Sequence, residues 1–224
     1  MDLPVGEKIN FKAGQYLDII LPSGKKCPFS IASPPSINRQ LELHIRPTPG
    51  SDDSAQIDEL LRTSSVIAVE APKGDCYLDT APENSLILMA ASTGITQMKC
   101  ILEHLFAQHL THPVYLYWGV LVSDDLYLDE ICRDWMNEIS MFNYVPVVSE
   151  PDNSLNWTGR TGLVPEAVLQ DFPDLTGQTV YVSGGPGMVY ATLDLFVERG
   201  LAKEDIHSDI FSIAPRPDEL QASV

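Results

Sequence analysis

The chain has 224 residues, of which 44% are hydrophobic and 20% are charged, a composition typical of a globular protein with one large core or two modest ones. Its formal net charge of −17 argues against nucleic acids and anionic membrane surfaces as partners. No apolar run approaches the roughly 18 residues that span a bilayer, so no membrane span is expected.

The four cysteines indicate a reducing environment rather than a metal centre. Cys27, Cys76, Cys100 and Cys132 stand far apart, and none belongs to a C-x-x-C pair. This spacing supports neither a zinc site nor an iron–sulfur cluster. Scattered thiols without a secretory signal predict a cytoplasmic protein.

The first third of the chain predicts short strands and almost no helix. Turn residues separate extended stretches at 15–21, 27–33, 40–47 and 66–70, and only 57–62 is predicted as one or two helical turns. In the third stretch, Leu41, Leu43 and Ile45 alternate with polar residues, as in a half-buried strand. Strands at this spacing predict a small antiparallel barrel or sandwich.

The sequence changes character at residue 86. Five apolar residues run without alternation, which is typical of a strand buried on both faces of a parallel sheet. Ser92, Thr93 and Gly94 follow, and from Met98 onward apolar residues recur at helical spacing. A strand, a tight turn of small residues and a helix together offer backbone N–H groups and a positive helix end to a phosphate.

The rest of the chain alternates between the two kinds of element. Strands are predicted at 114–120, 144–150, 179–183 and 206–213, and helices at 124–139, 163–172 and 188–199. This alternation predicts right-handed crossovers and a parallel sheet covered by helices on both faces. Ligands of such sheets bind beyond the carboxyl ends of the strands, where several glycines of this chain would line up on one edge.

Three segments of the first third carry a family resemblance: FKAGQY at 11–16, PFSIAS at 28–33 and LHIR at 43–46. In this order they resemble motifs of the ferredoxin–NADP reductase superfamily, closest to its short NAD(P)H–flavin reductase branch. The resemblance implies a flavin-binding barrel in which Pro28, Phe29 and Ser30 lie along the isoalloxazine ring. It implies Ser30 as the catalytic residue, with its hydroxyl near flavin N5. It also places His44, Ile45 and Arg46 beside the ring and the ribityl or phosphate portion.

The resemblance continues through the second part of the chain. The turn at 92–95 resembles the one that receives the pyrophosphate of the nicotinamide cofactor, and the segment at 183–188 resembles the one that lies against the nicotinamide. The segment at 209–211 resembles the terminal stretch that approaches the exposed side of the flavin. The implied cofactor-binding residues are Thr93, Gly94, Ile95, Gly119, Gly184, Gly185, Pro186, Met188, Asp209 and Phe211.

The sequence departs from the family pattern in three places, two of which bear on the affinity for cofactors and one on the barrel. Cys27 stands where the family has an arginine that grips a flavin phosphate, so weakly bound, exchangeable flavin is expected, with Arg46 as the candidate substitute. Ala91 and Ser92 replace two glycines and bring Cβ atoms towards the nicotinamide cofactor. The first motif also lies near the start of the chain, which predicts a barrel that lacks its first strands and is open.

The residues after Gly119 bear on the choice of dinucleotide. No arginine or lysine follows within the next six positions, whereas Asp124 and Asp125 do. Because a 2′-phosphate is recognised by a cation, we expect NADH to be preferred over NADPH.

The predicted fold class is therefore a β barrel plus an α/β unit: a small antiparallel flavin-binding barrel at 1–82, a parallel-sheet NAD(P)-binding domain at 83–214 and a flexible tail at 215–224. The resemblance implies a flavin-dependent oxidoreductase that transfers a hydride from NADH or NADPH to FAD, FMN or riboflavin. Two alternatives remain open. One is a stand-alone electron-transfer subunit for a separate acceptor protein, and the other is a degenerate, non-catalytic nucleotide-binding relative.

Overall fold

The described residues, 1–80 and 82–216, form two β-sheets in the computed structural model of the chain. The first sheet is antiparallel and has the order β2-β1-β3, with β1 at Tyr16–Ile20, β2 at Lys26–Ser30 and β3 at Ala68–Lys73. Helix α1, Asp52–Thr63, lies between β2 and β3 in the chain. It is longer than predicted because the side chain of Ser51 caps its first turn by accepting a hydrogen bond from the backbone N–H of Ser54.

The second sheet is parallel and has the order β7-β6-β5-β4-β8-β9. Its strands and the helices that follow them are, in chain order, β4 at Leu86–Ala91, α2 at Ile95–Phe106, β5 at Val114–Val120, α3 at Asp129–Glu138, β6 at Phe142–Val148, β7 at Arg160–Thr161, α4 at Val164–Asp171, β8 at Thr179–Ser183, α5 at Pro186–Val197, β9 at Ile206–His207 and α6 at Ile210–Ile213. The two sheets confirm the predicted fold class: a small antiparallel unit followed by an α/β unit with a parallel sheet.

The predicted strand at 40–47 is wrong in its pairing. The backbone runs extended and Leu41 is buried beside an exposed Glu42, so the alternation does report a half-buried face. However, among the described residues the segment has only an isolated bridge to Asp2 and single bonds such as the Ala32 N–H to the Glu42 carbonyl (2.8 Å). Alternation detects burial of one face, whereas a strand also needs a continuous partner.

The predicted strand at 206–213 is wrong beyond its second residue. Strand β9 pairs with β8 over Ile206 and His207 only, and α6 begins three residues later. The hydroxyl of Ser208 accepts the N–H of Ile210 (3.3 Å), which turns the backbone into the helix. The predicted helix at 124–139 is likewise divided into a 3₁₀ turn at Ser123–Asp125 and α3.

Helix α2 lies at the junction of the two units. Nine of its twelve residues are buried, and three of these nine are polar: Thr96, Gln97 and Lys99. One apolar cluster contains side chains of the first sheet, of α2 and of one face of the parallel sheet, and a second cluster covers the opposite face. The core is therefore continuous from the antiparallel unit into the parallel sheet.

Two further features concern the whole chain. All four cysteines are free and buried. No helix in residues 1–80 and 82–216 has the length and apolar character needed to cross a bilayer. Most of the tail predicted at 215–224 lies outside the described residues, but Arg216 is docked on α5, where its guanidinium pairs with Asp194 (2.6 Å).

Candidate functional site

A crevice between the two units consists of three adjoining cavities. The inner cavity (about 220 Å³) lies between β2 and the segment around Asp209, and the central cavity (about 400 Å³) lies between β2 and the ends of β4 and β8. The outer cavity (about 490 Å³) lies between residues 44–47 and residues 124–128. The inner and central cavities share Pro28, Phe29 and Ser30, so they adjoin along the end of β2.

The wall from the first unit is the end of an edge strand. β2 pairs with β1 on one side only, with Phe29 opposite Leu17 and Ser30 opposite Tyr16. Pro28 is tolerated there because an edge strand does not need every N–H in the ladder. The strand ends at Ser30, which leaves its hydroxyl at the wall of both cavities beside the partly buried ring of Phe29.

The opposite wall is the turn between β4 and α2. Its 3₁₀ turn, Ser92–Gly94, places Ser92 in the left-handed region (φ 50°), where glycine is favoured. The indole N–H of Trp118 donates to the carbonyl of Ser92 (2.8 Å) and fixes the turn. Thr93 and Gly94 line the central cavity, and Thr93 also lines the outer one, whereas Ile95 is fully buried in the core.

Gly94 is required by packing rather than by backbone conformation. Its φ and ψ (−58° and −20°) suit any residue, but a Cβ at this position would collide with the carbonyl oxygen of Ser183. The ends of β4 and β8 therefore meet closely at the floor of the central cavity. Gly184 and Gly185 line the same cavity, and Pro186 begins α5 without lining it.

Gly119 and Met188 lie in a fourth, mainly apolar cavity of about 170 Å³ at the carboxyl ends of β4, β5 and β6. This edge cavity shares Ala91 and Ser92 with the central one. The predicted residues at these strand ends are therefore brought together along one edge of the sheet, as expected for a ligand of a parallel sheet.

His44 and Arg46 cross the crevice. The ring of His44 has both nitrogens engaged, Nδ1 with the hydroxyl of Tyr127 (2.8 Å) and Nε2 with the carboxylate of Glu42 (2.7 Å). Arg46 donates through Nη1 to the hydroxyl of Ser92 (3.0 Å) and pairs through Nη2 with Asp125 (3.1 Å). Ile45 lines the outer cavity between them.

Asp209 lies in the wall of the inner cavity and is held by a buried amide. The side-chain amide of Gln97 donates to Asp209 Oδ2 (2.8 Å), to the Gly14 carbonyl (2.8 Å) and, at longer range, to the Cys76 carbonyl (3.3 Å). Burial raises the pKa of Asp209 to about 7, and the Gln97 hydrogen bond opposes this shift. By contrast, the ring of Phe211 packs against Tyr190 at 5.6 Å, in the core cluster behind the crevice.

Comparisons with known proteins agree with the fold. Residues 88–194 match the family model described as the oxidoreductase NAD-binding domain. The chain is 35% identical to the NAD(P)H-flavin reductase of Vibrio harveyi over 202 residues, which cover 88% of this chain and 84% of that protein. This chain belongs to the NAD(P)H–flavin reductase branch of the ferredoxin–NADP reductase superfamily.

Relatives of this flavin reductase-like chain include longer proteins. It is 35% identical to the CDP-6-deoxy-L-threo-D-glycero-4-hexulose-3-dehydrase reductase of Yersinia pestis over 211 residues, but spans only 62% of that protein's length. A solved structure of the Amycolatopsis cytochrome P450 reductase GcoB has a TM-score of 0.80 and 28% identity, with 91% of this chain and 62% of that one covered. The resemblance identified from the sequence motifs is confirmed.

The crevice of this flavin reductase-like chain fits a flat redox ring and a nucleotide. It combines partly apolar walls with a few polar groups, among them the Ser30 hydroxyl, and with the first turn of α2 beside Thr93 and Gly94. Cys27, which occupies the family's arginine position, is only 8% exposed and belongs to the apolar core. Burial raises the pKa of its thiol.

Sequence reasoning missed several residues of this reductase-like crevice, among them Tyr16, Gln97, Tyr127 and, in its pairing with Arg46, Asp125. A signal was present for Gln97, because a polar residue within the apolar face that follows a phosphate-binding turn has to find buried partners. The others depend on contacts between distant segments. For instance, His44 and Tyr127 are 83 residues apart.

Proposed function

We propose that this protein is a flavin-dependent oxidoreductase that transfers a hydride from NADH to a flavin in the crevice. The observation that carries the proposal is one cavity with two sets of walls. Residues 28–30, from the implied flavin motif, and residues 93–94 and 184–185, from the implied nicotinamide motif, line the same 400 Å³ space. The relatives named as NAD(P)H-flavin reductases support the same reaction.

When bound, the nicotinamide supplies a hydride and the flavin accepts it. The chain's own residues contribute binding and orientation. Ser30 offers a hydroxyl from a rigid strand end, and the turn at Ser92–Gly94 offers N–H groups and the positive end of α2 to a pyrophosphate. Phe29 and Ile210 add apolar side chains to the wall of the inner cavity, where a flat ring would lie.

The expectation of weakly bound flavin is part of this proposal. Cys27 cannot bind a phosphate as an arginine would, because its side chain is neutral and buried in the core. NADH remains the expected donor, since Asp124 and Asp125 line the outer cavity and Arg46 is already paired with a carboxylate. We also propose a cytoplasmic location, consistent with four free thiols, and a division of the chain near residues 82 and 83.

The proposal is tested by absorbance spectra and NADH oxidation of the purified protein before and after adding riboflavin, FMN or FAD. We expect oxidation that depends on added flavin, with kcat/KM higher for NADH than for NADPH. Ser30→Ala should lower kcat by about tenfold or more, whereas Ser23→Ala on an exposed turn should not. Absence of both flavin binding and flavin-dependent oxidation would reject the assignment.

A separate acceptor protein is the second candidate, and the Yersinia and Amycolatopsis relatives, both named reductases, favour it. In that case flavin stays bound through turnover, and NADH oxidation without added flavin requires a protein acceptor. The non-catalytic alternative rests on Cys27, Ala91 and Ser92. It predicts nucleotide binding in calorimetric titrations but no oxidation with any flavin.

A further inference from the structure

The positive charge of the crevice is concentrated at one side chain. Among the residues that line the inner, central, outer and edge cavities, Arg46 is the sole lysine or arginine in the described part of the chain. Arg46 lines the central and the outer cavity at once. Any phosphate-bearing ligand of this strongly acidic protein therefore has one guanidinium within the crevice to pair with.

That guanidinium is engaged with groups of the chain itself. Nη2 of Arg46 lies 3.1 Å from Oδ1 of Asp125, and Nη1 donates to the hydroxyl of Ser92 (3.0 Å). Both partners come from the α/β unit, whereas Arg46 comes from the first unit. The Asp125 carboxylate therefore occupies the position at Arg46 that an anionic ligand group would take.

Asp125 is held in this position by its local backbone. It ends the 3₁₀ turn Ser123–Asp125, and its N–H donates to the carbonyl of Val122 (3.0 Å). Its side chain is 24% exposed, whereas that of Arg46 is 52% exposed. An ion pair of this exposure is weak, so a phosphate with greater charge can displace the carboxylate, but only in competition with it.

We propose that Asp125 is a specificity-determining residue that withholds Arg46 from the phosphate groups of bound nucleotides. The chain then recognises its ligands mainly through their rings, and a flavin with a phosphate binds with little more affinity than riboflavin. The phosphate concerned belongs either to FMN or FAD or to the dinucleotide, and both have the chemistry that Arg46 would pair with. This inference rests on the proposed function and deepens it.

The test measures dissociation constants for riboflavin and FMN, and the KM for NADH with riboflavin as acceptor, in wild type and Asp125→Asn. The substitution keeps the side-chain shape and removes the charge. We expect the FMN constant to fall roughly fivefold relative to that of riboflavin if the flavin phosphate is concerned. A fall of similar size in the KM for NADH alone would identify the dinucleotide phosphate. Either gain should shrink in high salt.

Two further variants make the result specific. Asp58→Asn removes the carboxylate of a surface pair with Arg62 on α1, outside the crevice. It should leave unchanged both the FMN-to-riboflavin ratio of dissociation constants and the KM for NADH. The double variant Arg46→Met with Asp125→Asn should lose the gain. The inference is overturned if Asp125→Asn changes neither the FMN-to-riboflavin ratio of dissociation constants nor the KM for NADH. It is also overturned if the gain in affinity persists in the double variant, which lacks Arg46. If Asp125→Asn changes neither quantity but riboflavin is still reduced normally, the proposed function stands without the inference. Absence of flavin binding in every variant would reject both the inference and the proposed function.

Discussion

At the scale of single residues, the Gln97 amide shows how a buried polar group can organise a site. It has two N–H hydrogens and three acceptors within reach, on the first unit, on the loop at Cys76 and on Asp209. Tyr16, Asp75 and Cys76 also face Asp209, and none of them carries a positive charge. The carboxylate therefore depends on Gln97 for its main stabilising partner, and burial keeps its pKa near 7.

The raised pKa of Asp209 predicts how stability depends on pH. The pKa is about 7 in the folded chain and about 3.9 when unfolded, so folding takes up a proton between these values. The resulting penalty grows as pH rises through this window and is complete above pH 7. We expect Asp209→Asn to gain about 2 kcal/mol of unfolding free energy, relative to wild type, between pH 5.5 and pH 8 in urea titrations.

The exposed Asp152 provides the control, since Asp152→Asn should change the free energy of unfolding equally at both pH values. Gln97→Leu should move the wild-type dependence to higher pH, because the lost hydrogen bond no longer stabilises the carboxylate. A parallel pH profile for wild type and Asp209→Asn would contradict the proposed ionisation.

At the scale of elements, the site depends on where strands end. The turn after β4 meets the end of β8 at Gly94 and Ser183, with no room for a Cβ on Gly94. Gly187, in the first turn of α5, has nothing within 4 Å of where its Cβ would lie. Both glycines lie in helical conformations. A different effect of alanine at the two positions therefore reports packing and not backbone preference.

This contrast gives a matched pair of substitutions. Gly94→Ala should destabilise the protein by about 1–3 kcal/mol, because the ends of β4 and β8 must separate. Gly187→Ala should instead stabilise it by about 0.5–1 kcal/mol, as alanine is favoured over glycine within a helix. Urea unfolding measures both. Equal effects of the two substitutions would show that the turns are not closely packed.

At the scale of the whole molecule, α2 joins the two units through one charged contact as well as through the shared core. The ammonium group of Lys99, 8% exposed, pairs with Glu42 of the first unit (2.9 Å) and Glu103 of its own helix (2.8 Å). Burial alone would lower the pKa of Lys99, but the two carboxylates raise it above its ordinary value. The cation therefore stays charged at the junction between the units.

Removing this cation should weaken the junction. We expect Lys99→Met to cost about 2 kcal/mol, because two carboxylates that are partly shielded from water lose their partner. Lys25→Met, which breaks the exposed pair with Asp53, should cost much less, because water screens that pair. Urea titrations followed by tryptophan fluorescence test this. Similar costs for both substitutions would show that Lys99 does not stabilise the junction between the two units.

Local pattern was sufficient for the strands that pack on both faces. The predicted bounds of β5 and β8 agree with the structure, and β4 was predicted from its uninterrupted apolar run. The motifs at 28–33 and 92–95 were also sufficient for the family, which the comparisons confirm. These features depend on neighbours in the chain, so they are present in the sequence itself.

Contacts between distant segments were decided only by the tertiary structure. The stretch 40–47 alternates like a strand but has no continuous partner within residues 1–80 and 82–216. The stretch 208–213 turns into a helix, and the Ser208 hydroxyl accepts the N–H of Ile210 at that turn. The pairing of Arg46 with Asp125 and of Gln97 with Asp209 joins residues 79 and 112 positions apart. Periodicity carries no information about such pairs, because it records which face of an element is buried but not which element covers it.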